Sequence, residues 1–434
     1  MKVLVVGSGG REHALSWRLG QSASVNQVYC VPGNAGMAAE FSCVPADISS
    51  NSEIASLAES LAVDLTVVGP EAPLAAGIVD EFRSRHLPIL GPAADGAQLE
   101  GSKIFAKQFM QRHGIPTAEF VLIENESDLD ANLSRFGYPV ALKADGLAAG
   151  KGVVIVKDET EARRTAAALL SGELAGGAGR RFLVEQFLTG EEVSFIALSA
   201  GAGFYDFPPT QDHKPAFDND EGPNTGGMGA YCDAAILSPD ARDTVIRTIV
   251  EPTLSGIREM GARFTGFLYC GLMMTGEGPK LLEYNVRLGD PETQPLMYRM
   301  TGDLGRLLLS AARGELDTAS VAWKDEPTAC VVLASGGYPG SYAKGRLITG
   351  IASAEANGAK VFHAGTRFQE GKIATAGGRV LGVTAGGEDL GAAIANTYAA
   401  VREIHFDGVH FRRDIGKKGL RRGSPDGRRR SDYR

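Results

Sequence analysis

The sequence predicts an α/β and α+β multidomain protein, led by a doubly wound parallel sheet. Three observations predict it. The 434 residues amount to about three domains at roughly 150 residues each. Short β-branched runs alternate with helical patterns over the first hundred residues, which implies a parallel sheet with helices on both faces. Glycine is abundant, 56 residues, while proline at 20 is ordinary, and that balance suits tight turns and close backbone approaches.

Residues 3–6 read as a strand, Gly7 to Gly10 as a turn and 12–19 as a helix. A second strand, 28–31, stops at Pro32-Gly33-Asn34. Next come a helix over 53–61, a strand over 65–68 stopped by Gly69-Pro70, a helix over 74–85 and a strand over 88–90. Ligands of such sheets sit at the carboxyl ends of strands. That singles out two loops, Gly7-Ser8-Gly9-Gly10-Arg11-Glu12 and Gly69-Pro70-Glu71-Ala72-Pro73. A helix over 102–113 closes at Gly114 and Pro116. A compact unit from about 117 to 190 holds strands 120–123, 140–143, 153–156 and 182–187 and a helix over 159–170. A β-rich stretch from 192 to about 287 contains a long polar loop, Gln211 to Tyr231. A helix over 302–313 precedes a final βα unit, with strands 330–334, 360–362 and 380–384 and a helix over 390–404.

Composition narrows the function classes. Hydrophobic residues make up 44% and charged residues 22%, which excludes wholesale disorder, collagen and a small disulfide scaffold. The net charge is −8, yet Arg412 to Arg434 carries ten Lys/Arg against three Asp. An acidic body with a basic tail is a poor general nucleic-acid binder. Five scattered cysteines without a Cys-x-x-Cys pair argue against a disulfide framework and a zinc site, and fit a cytoplasmic setting. No apolar run approaches the ~18 residues of a membrane span.

Four segments carry chemistry. The first loop follows a strand and opens a helix, but Glu12 stands where a dinucleotide fingerprint needs its third glycine, and the second strand ends without an acid for ribose. A helix N-terminus beside Arg11 suits a phosphate, with a plain tight turn as the alternative. In the second segment a strand delivers Lys143, and the loop Ala144 to Gly152 brings three glycines and Lys151. Exposed amides and two lysines form a phosphate cradle more readily than a plain hairpin. In the third, Glu283, Asn285 and Arg287 alternate along a strand and share one face, roughly 7 Å apart pairwise, while Leu282, Tyr284 and Val286 face the core. A carboxylate with an amide oxygen suits Mg²⁺, and Arg287 beside them suits an anion; a polar solvent face is the alternative. The fourth, Gln211 to Tyr231, is long and glycine-dense, as a closing or substrate-binding loop would be. Its His213 reads as a hydrogen-bonded structural histidine before a base.

The order of motifs resembles the phosphoribosylamine–glycine ligase (glycinamide ribonucleotide synthetase) family of the ATP-grasp superfamily. The matching stretches include Gly9-Gly10-Arg11-Glu12-His13-Ala14, Val68-Gly69-Pro70-Glu71-Ala72-Pro73, Lys143-Ala144-Asp145-Gly146-Leu147-Ala148-Ala149-Gly150-Lys151-Gly152, Gly222-Pro223-Asn224-Thr225-Gly226-Gly227-Met228-Gly229, Gly289-Asp290-Pro291-Glu292-Thr293-Gln294 and Phe362-His363-Ala364-Gly365-Thr366. The resemblance runs from residue 1 to about 415. It implies a pre-ATP-grasp, Rossmann-like substrate domain over 1–101, an ATP-grasp region over 102–326 with a mobile lid about 117–190 and a small C-terminal αβ domain over 327–418. Residues 419–434 lie outside the resemblance and read from composition as a basic mobile tail.

The implied reaction is the second step of purine biosynthesis. ATP phosphorylates the glycine carboxylate, and the amine of 5-phosphoribosylamine attacks the glycyl phosphate to give glycinamide ribonucleotide, ADP and phosphate. By the resemblance, Lys103 and Lys143 contact ATP phosphates, and Gly146, Gly150, Lys151 and Gly152 belong to the lid. Glu185, Phe187 and Leu188 form the strand against adenine, and Glu192 holds ribose. Glu283 and Asn285 bind Mg²⁺ or Mn²⁺, and Arg287 stabilises the transferring phosphoryl. Gly10, Arg11, Glu12 and Glu71 serve phosphoribosylamine, with Asp212, Lys214, Asn224 and Thr225. A monomer is implied. Many ATP-grasp enzymes carry an acid on the strand before Glu-x-Asn, whereas residues 266–273 have none, so a second metal would draw on Asp290 or Glu292. The rival readings are an ATP-grasp carboxylase or other carboxylate-amine ligase, an NAD-dependent oxidoreductase and a catalytically dead nucleotide-binding regulator.

Overall fold

The computed structural model describes residues 1–133, 135–146, 152–174 and 180–423. Gly150, Lys151 and most of the basic tail lie outside the described residues.

Five strands open the chain: β1 (Lys2–Gly7), β2 (Gln27–Pro32), β3 (Ser42–Cys43), β4 (Leu65–Val68) and β5 (Ile89–Leu90). All are parallel, in the order β3-β2-β1-β4-β5. Val3, Leu4, Val5 and Val6 are fully buried, as a strand covered on both faces requires. The order reverses between β1 and β4, so the loops after these two strands open onto one crevice. The helix expected over 74–85 is two helices, Glu71–Ala75 and Ile78–Ser84, because Gly77 breaks it with φ of +80°. Short helices at Ala35–Glu40 and Glu126–Asn132 carry too few turns for a periodic signal, although Asn34 and Asn125 cap them.

The next unit is an antiparallel sheet of β6 (Phe120–Ile123), β7 (Val140–Ala144), β8 (Val153–Val156) and β9 (Phe182–Gln186), in the order β6-β9-β7-β8. Helix Glu159–Leu170 packs its Ala162, Ala166 and Leu169 on Leu142, Phe182 and Val184, a hydrophobic cluster of its own.

The remaining strands are β10 (Glu191–Ala200), β11 (Phe204–Asp206), β12 (Thr210–Asp212), β13 (Pro215–Phe217), β14 (Glu221–Asn224), β15 (Gly229–Cys232), β16 (Thr265–Thr275), β17 (Gly278–Asn285), β18 (Met300–Gly302), β19 (Val321–Trp323), β20 (Thr328–Ser335), β21 (Lys360–His363), β22 (Thr366–Gln369), β23 (Lys372–Thr375), β24 (Arg379–Gly386) and β25 (Val409–His410). Ten of them form one sheet, built on the path β17-β16-β10-β12-β15-β20-β24-β21. The long loop expected over Gln211 to Tyr231 is therefore mostly strand: β12 and β15 sit inside the sheet, and β13 pairs with β14 as a hairpin. These strands are three or four residues long and rich in polar residues, glycine and proline, so they leave no alternation to read. A second correction falls on the stretch read as β-rich. Helices Pro239–Val245 and Glu251–Glu259 run through it, joined by a π-helical turn at Ile246–Val250, beside a Pro252 that has no N–H to give. The C-terminal strands β20, β24 and β21 extend the central sheet through β15.

Candidate functional site

A cavity of about 520 Å³ lies where the N-terminal crevice, the β6–β9 sheet and the ten-stranded sheet meet. Strand β17 and the turn after it form one wall. Glu283, Asn285 and Arg287 all line the cavity, as alternation along the strand requires. Leu282 lines it too, which corrects the expectation that it faces the core. The β16–β17 ladder pairs Gly271 with Glu283 but Leu272 with Leu281, so Leu282 is the extra residue of a bulge. Val286 is buried as expected, and Tyr284, also buried, borders the cavity as well.

Opposite stand three lysines. Glu185 Oε2 lies 2.8 Å from Lys107 Nζ and 2.9 Å from Lys143 Nζ, with all three side chains nearly covered. Lys143 also donates to the carbonyl of Leu282 at 3.3 Å, tying β7 to the bulge. Burial pulls the Lys107 ammonium down to about 8, against the pull of Glu185. Lys103 donates to the carbonyl of Gly146 at 3.4 Å. Lys107 was not among the expected site residues, yet it stands one turn after Lys103 on helix Lys103–Arg112, a spacing that puts both on one face. Gly152 lines the cavity and accepts from Ala144 N through its carbonyl.

Arg287 is held by four oxygens: Glu100 Oε1 at 2.7 Å, Asn285 Oδ1 at 3.0 Å, the Leu288 carbonyl at 3.3 Å and Glu71 Oε2 at 3.5 Å. Burial raises the Glu100 carboxyl above the usual range, against Arg287. Burial also works on Glu71, but Arg287 and Arg11 hold it below that range. Lys214 bridges Glu192 at 3.2 Å and Glu283 at 3.4 Å. Its charge holds the Glu283 carboxyl down to about 2.

The far end is acidic and closed by the C-terminal strands. Glu292 Oε1 accepts from the hydroxyls of Ser194 and Tyr269, each at 2.9 Å. Burial, then the nearby Glu292, pushes the Asp212 carboxyl well up. Arg379 donates to Asp290 Oδ2 at 3.0 Å and to the carbonyls of Asp290 and Gly226 at 2.6 Å. Tyr338 accepts from Gly226 N at 3.1 Å. Arg379, Tyr338, Tyr269 and Glu100 line the cavity from distant parts of the chain, and no local motif marks them.

Several expected residues lie elsewhere. Glu12 accepts from Gly9 N at 2.6 Å and pairs with Arg11, so its carboxylate holds the first loop together and lines no cavity wall. Gly10 stands behind that wall, where a Cβ would lie 2.7 Å from Gln294 Nε2. Phe187 is exposed, and Leu188 packs with Ala118 and Met273 beside Leu282. Asn224 is exposed on β14, whereas its neighbour Thr225 lines the cavity. Glu192 lines an adjoining small cleft with Asp212 and Lys214. His213 is buried behind the site, where its Nε2 accepts from Gly416 N, and burial followed by Arg412 lowers it to about 4. Among the described residues no group of three or more His, Cys, Asp or Glu is arranged to hold a metal ion, and no helix is long and apolar enough to cross a membrane.

A Rossmann-like sheet, an antiparallel four-stranded sheet and a larger sheet that together enclose lysines and a Glu-x-Asn strand define an ATP-grasp ligase. The chain belongs to the phosphoribosylglycinamide synthetase family. It matches that family's N domain over residues 1–100, its ATP-grasp (A) domain over 101–293 and its C domain over 328–418. The phosphoribosylamine–glycine ligase of Pseudomonas aeruginosa is 47% identical over 425 residues, covering 97% of this chain and 99% of that one. That of Vibrio cholerae is 46% identical with the same coverage. The crystal structure of the Thermotoga maritima ligase superposes with a TM-score of 0.82 at 34% identity, over 96% of this chain and 100% of that one. A Campylobacter jejuni biotin carboxylase shares the fold, with a TM-score of 0.72 at 16% identity over 99% of this chain and 96% of that one.

Proposed function

We propose that the chain joins glycine to 5-phosphoribosylamine at the expense of ATP, through glycyl phosphate. The observation that carries this reading is the facing of Lys103, Lys107 and Lys143 against Glu283, Asn285 and Arg287 across one cavity. A carboxylate is a poor electrophile until one oxygen becomes phosphate. A glycine carboxylate oxygen attacks the γ-phosphorus and ADP leaves. The amine then attacks the acyl carbon, phosphate leaves, and the amine loses a proton.

The chain's own groups supply neutralised, oriented phosphates. Lys103 and Lys143 bind the ATP phosphates, and Lys107 with Glu185 fixes Lys143. Gly146, Gly150, Lys151 and Gly152 serve those phosphates and help keep water from the acyl phosphate. Adenine lies near Leu188 and Leu282, and Glu192 takes ribose. Arg287 stabilises the transferring phosphoryl. Arg11, Glu71, Asp212, Lys214 and Thr225 serve the substrate side, while Gly10 and Glu12 shape its loop. Glu283 is ionised and, with Asn285, presents hard oxygens to the cavity, a set that suits Mg²⁺ completed by phosphate oxygens. Mg²⁺ or Mn²⁺ held there would neutralise phosphate charge. The chain works in the cytoplasm, as a monomer, on small molecules alone. Residues 1–101, 102–326 and 327–418 serve as its substrate, ATP-grasp and C-terminal units.

The test is ADP release. It requires glycine and phosphoribosylamine together. Equal release with bicarbonate or formate in place of glycine removes this reading in favour of an ATP-grasp carboxylase or another ligase.

A further inference from the structure

Cys30 and Cys43 face each other across the parallel β2–β3 pair. Cα atoms of directly paired strands lie about 4.8 Å apart, inside the span a disulfide bridges. Both side chains turn toward the same turn of the backbone: a Cβ on Gly33 would lie 2.4 Å from Cys43 Sγ and 3.4 Å from Cys30 Cβ. The register makes the two thiols direct neighbours across the strands. Cys30 is buried, with Ser16 Oγ 3.5 Å from its sulfur, and Cys43 is half-exposed.

The two differ in character. The neighbouring Cys30 thiol lowers the Cys43 thiol below its ordinary value, against the effect of burial. The remaining cysteines, Cys232, Cys270 and Cys330, are buried singly, and burial pushes their thiols up, to about 11 at Cys232 and about 12 at Cys330. Reactive cysteines are accessible and ionise readily, while buried apolar ones are inert. Only one pair among the five therefore joins a partly exposed thiol of lowered pKa to a second thiol beside it.

We propose that Cys30 and Cys43 are a modification site, a dithiol that a hydroperoxide closes reversibly into a cross-strand disulfide. The Cys43 thiolate attacks one peroxide oxygen, the O–O bond breaks, and the departing oxygen leaves as water or alcohol after taking a proton. Cys43 is then a sulfenic acid. The Cys30 sulfur attacks the Cys43 sulfur, the S–S bond forms, the S–O bond breaks, and hydroxide leaves as water with the Cys30 proton. Two thiols have lost two electrons and one peroxide has gained them.

The full-length folded chain is exposed to hydrogen peroxide and then analysed by mass spectrometry. The expected result is a loss of about 2 Da, a Cys30–Cys43 cross-linked peptide, and reversal by dithiothreitol, with Cys232, Cys270 and Cys330 still free. Cys43→Ser abolishes the mass loss. Cys30→Ser instead leaves a sulfenic acid on Cys43 that dimedone traps. Five free thiols after treatment, a sulfinic acid on Cys43 beside a free Cys30, or a bond between any other pair would overturn the proposal.

Discussion

The ammonium of Lys214 stands 3.4 Å from Oε1 of Glu283 and 3.2 Å from Oε2 of Glu192. A protein cation thus rests against the carboxylate proposed for the metal, so a divalent ion must share or displace it. Glu283→Gln keeps shape and hydrogen bonding but removes the charge. We expect kcat to fall by at least ~10²-fold, with partial recovery at high Mg²⁺, because the charge matters most as it develops in the transition state. Wild-type kcat at every Mg²⁺ concentration would remove this strand from the mechanism.

Arg287 is fixed from three sides, by Glu100, Asn285 and Glu71. A lysine cannot reproduce that planar fork. Arg287→Lys is expected to lower kcat by roughly 10²-fold while the melting temperature stays within a few degrees. Glu100→Gln keeps the bond from Val286 N and loosens only the ion pair, so its kcat falls less. Steady-state kinetics rank the two, and an Arg287→Lys enzyme with full kcat would make the arginine structural.

Three buried histidines, His13, His213 and His363, set an acid limit, each lowered chiefly by burial. His213 is lowered to about 4 and His363 to about 3. Around His213 the cations Arg412 and Lys418 oppose Asp220 and Asp414. The unfolded chain binds protons at His213 and His363 near pH 6.5, whereas the folded one refuses them until about 4 or below. Stability is therefore intact above pH ~6.5 and falls on acidification, by about 2 kcal/mol for each of these two between pH 7.5 and 5. Urea unfolding at both pH values checks this. His213→Gln should lose less than wild type over that interval, and an equal loss would exempt His213.

Arg412 is wholly buried and gives Nε and Nη2 to Asp414, each at 2.8 Å, and Nη1 to Asp220 at 3.0 Å. It clamps the β13–β14 hairpin, which flanks Lys214 and Thr225, onto the C-terminal segment. Arg412→Ala leaves two carboxylates short of a partner and should cost about 3 kcal/mol, read as a lowered urea midpoint. Deleting 421–434 removes a strongly basic stretch poor in apolar residues and should leave turnover within about twofold. Collapse of the shortened chain would show that the tail docks.

Much of the fold was legible because its strands announce themselves. Residues 65–68, 120–123 and 153–156 are β-branched or apolar runs between turn residues, and they are strands β4, β6 and β8 with those bounds. Glu283, Asn285 and Arg287 were legible because a strand's period is fixed. Leu282 was not, because a bulge is set by the neighbouring strand and leaves no mark of its own. Strands β12 to β15 escaped for a related reason: three polar residues become a strand only when a sheet is there to receive them. Arg379 and Tyr338 reach the cavity through tertiary folding alone, one from the first residue of β24 and the other from the turn after β20.

The threading of the ten-stranded sheet bears on how the protein is made. Strand β15 is completed early, yet its outer neighbour β20 begins only at Thr328, so a growing chain carries a raw hydrogen-bonding edge through that interval. Synthesis runs from the N-terminus, and the N-terminal sheet can close while the middle of the molecule waits. The ribosome must therefore deliver roughly the last quarter of the polypeptide before its centre is sealed. A stalled or truncated product ending near residue 326 is an adhesive species, a natural client for chaperones and a seed for edge-to-edge aggregation.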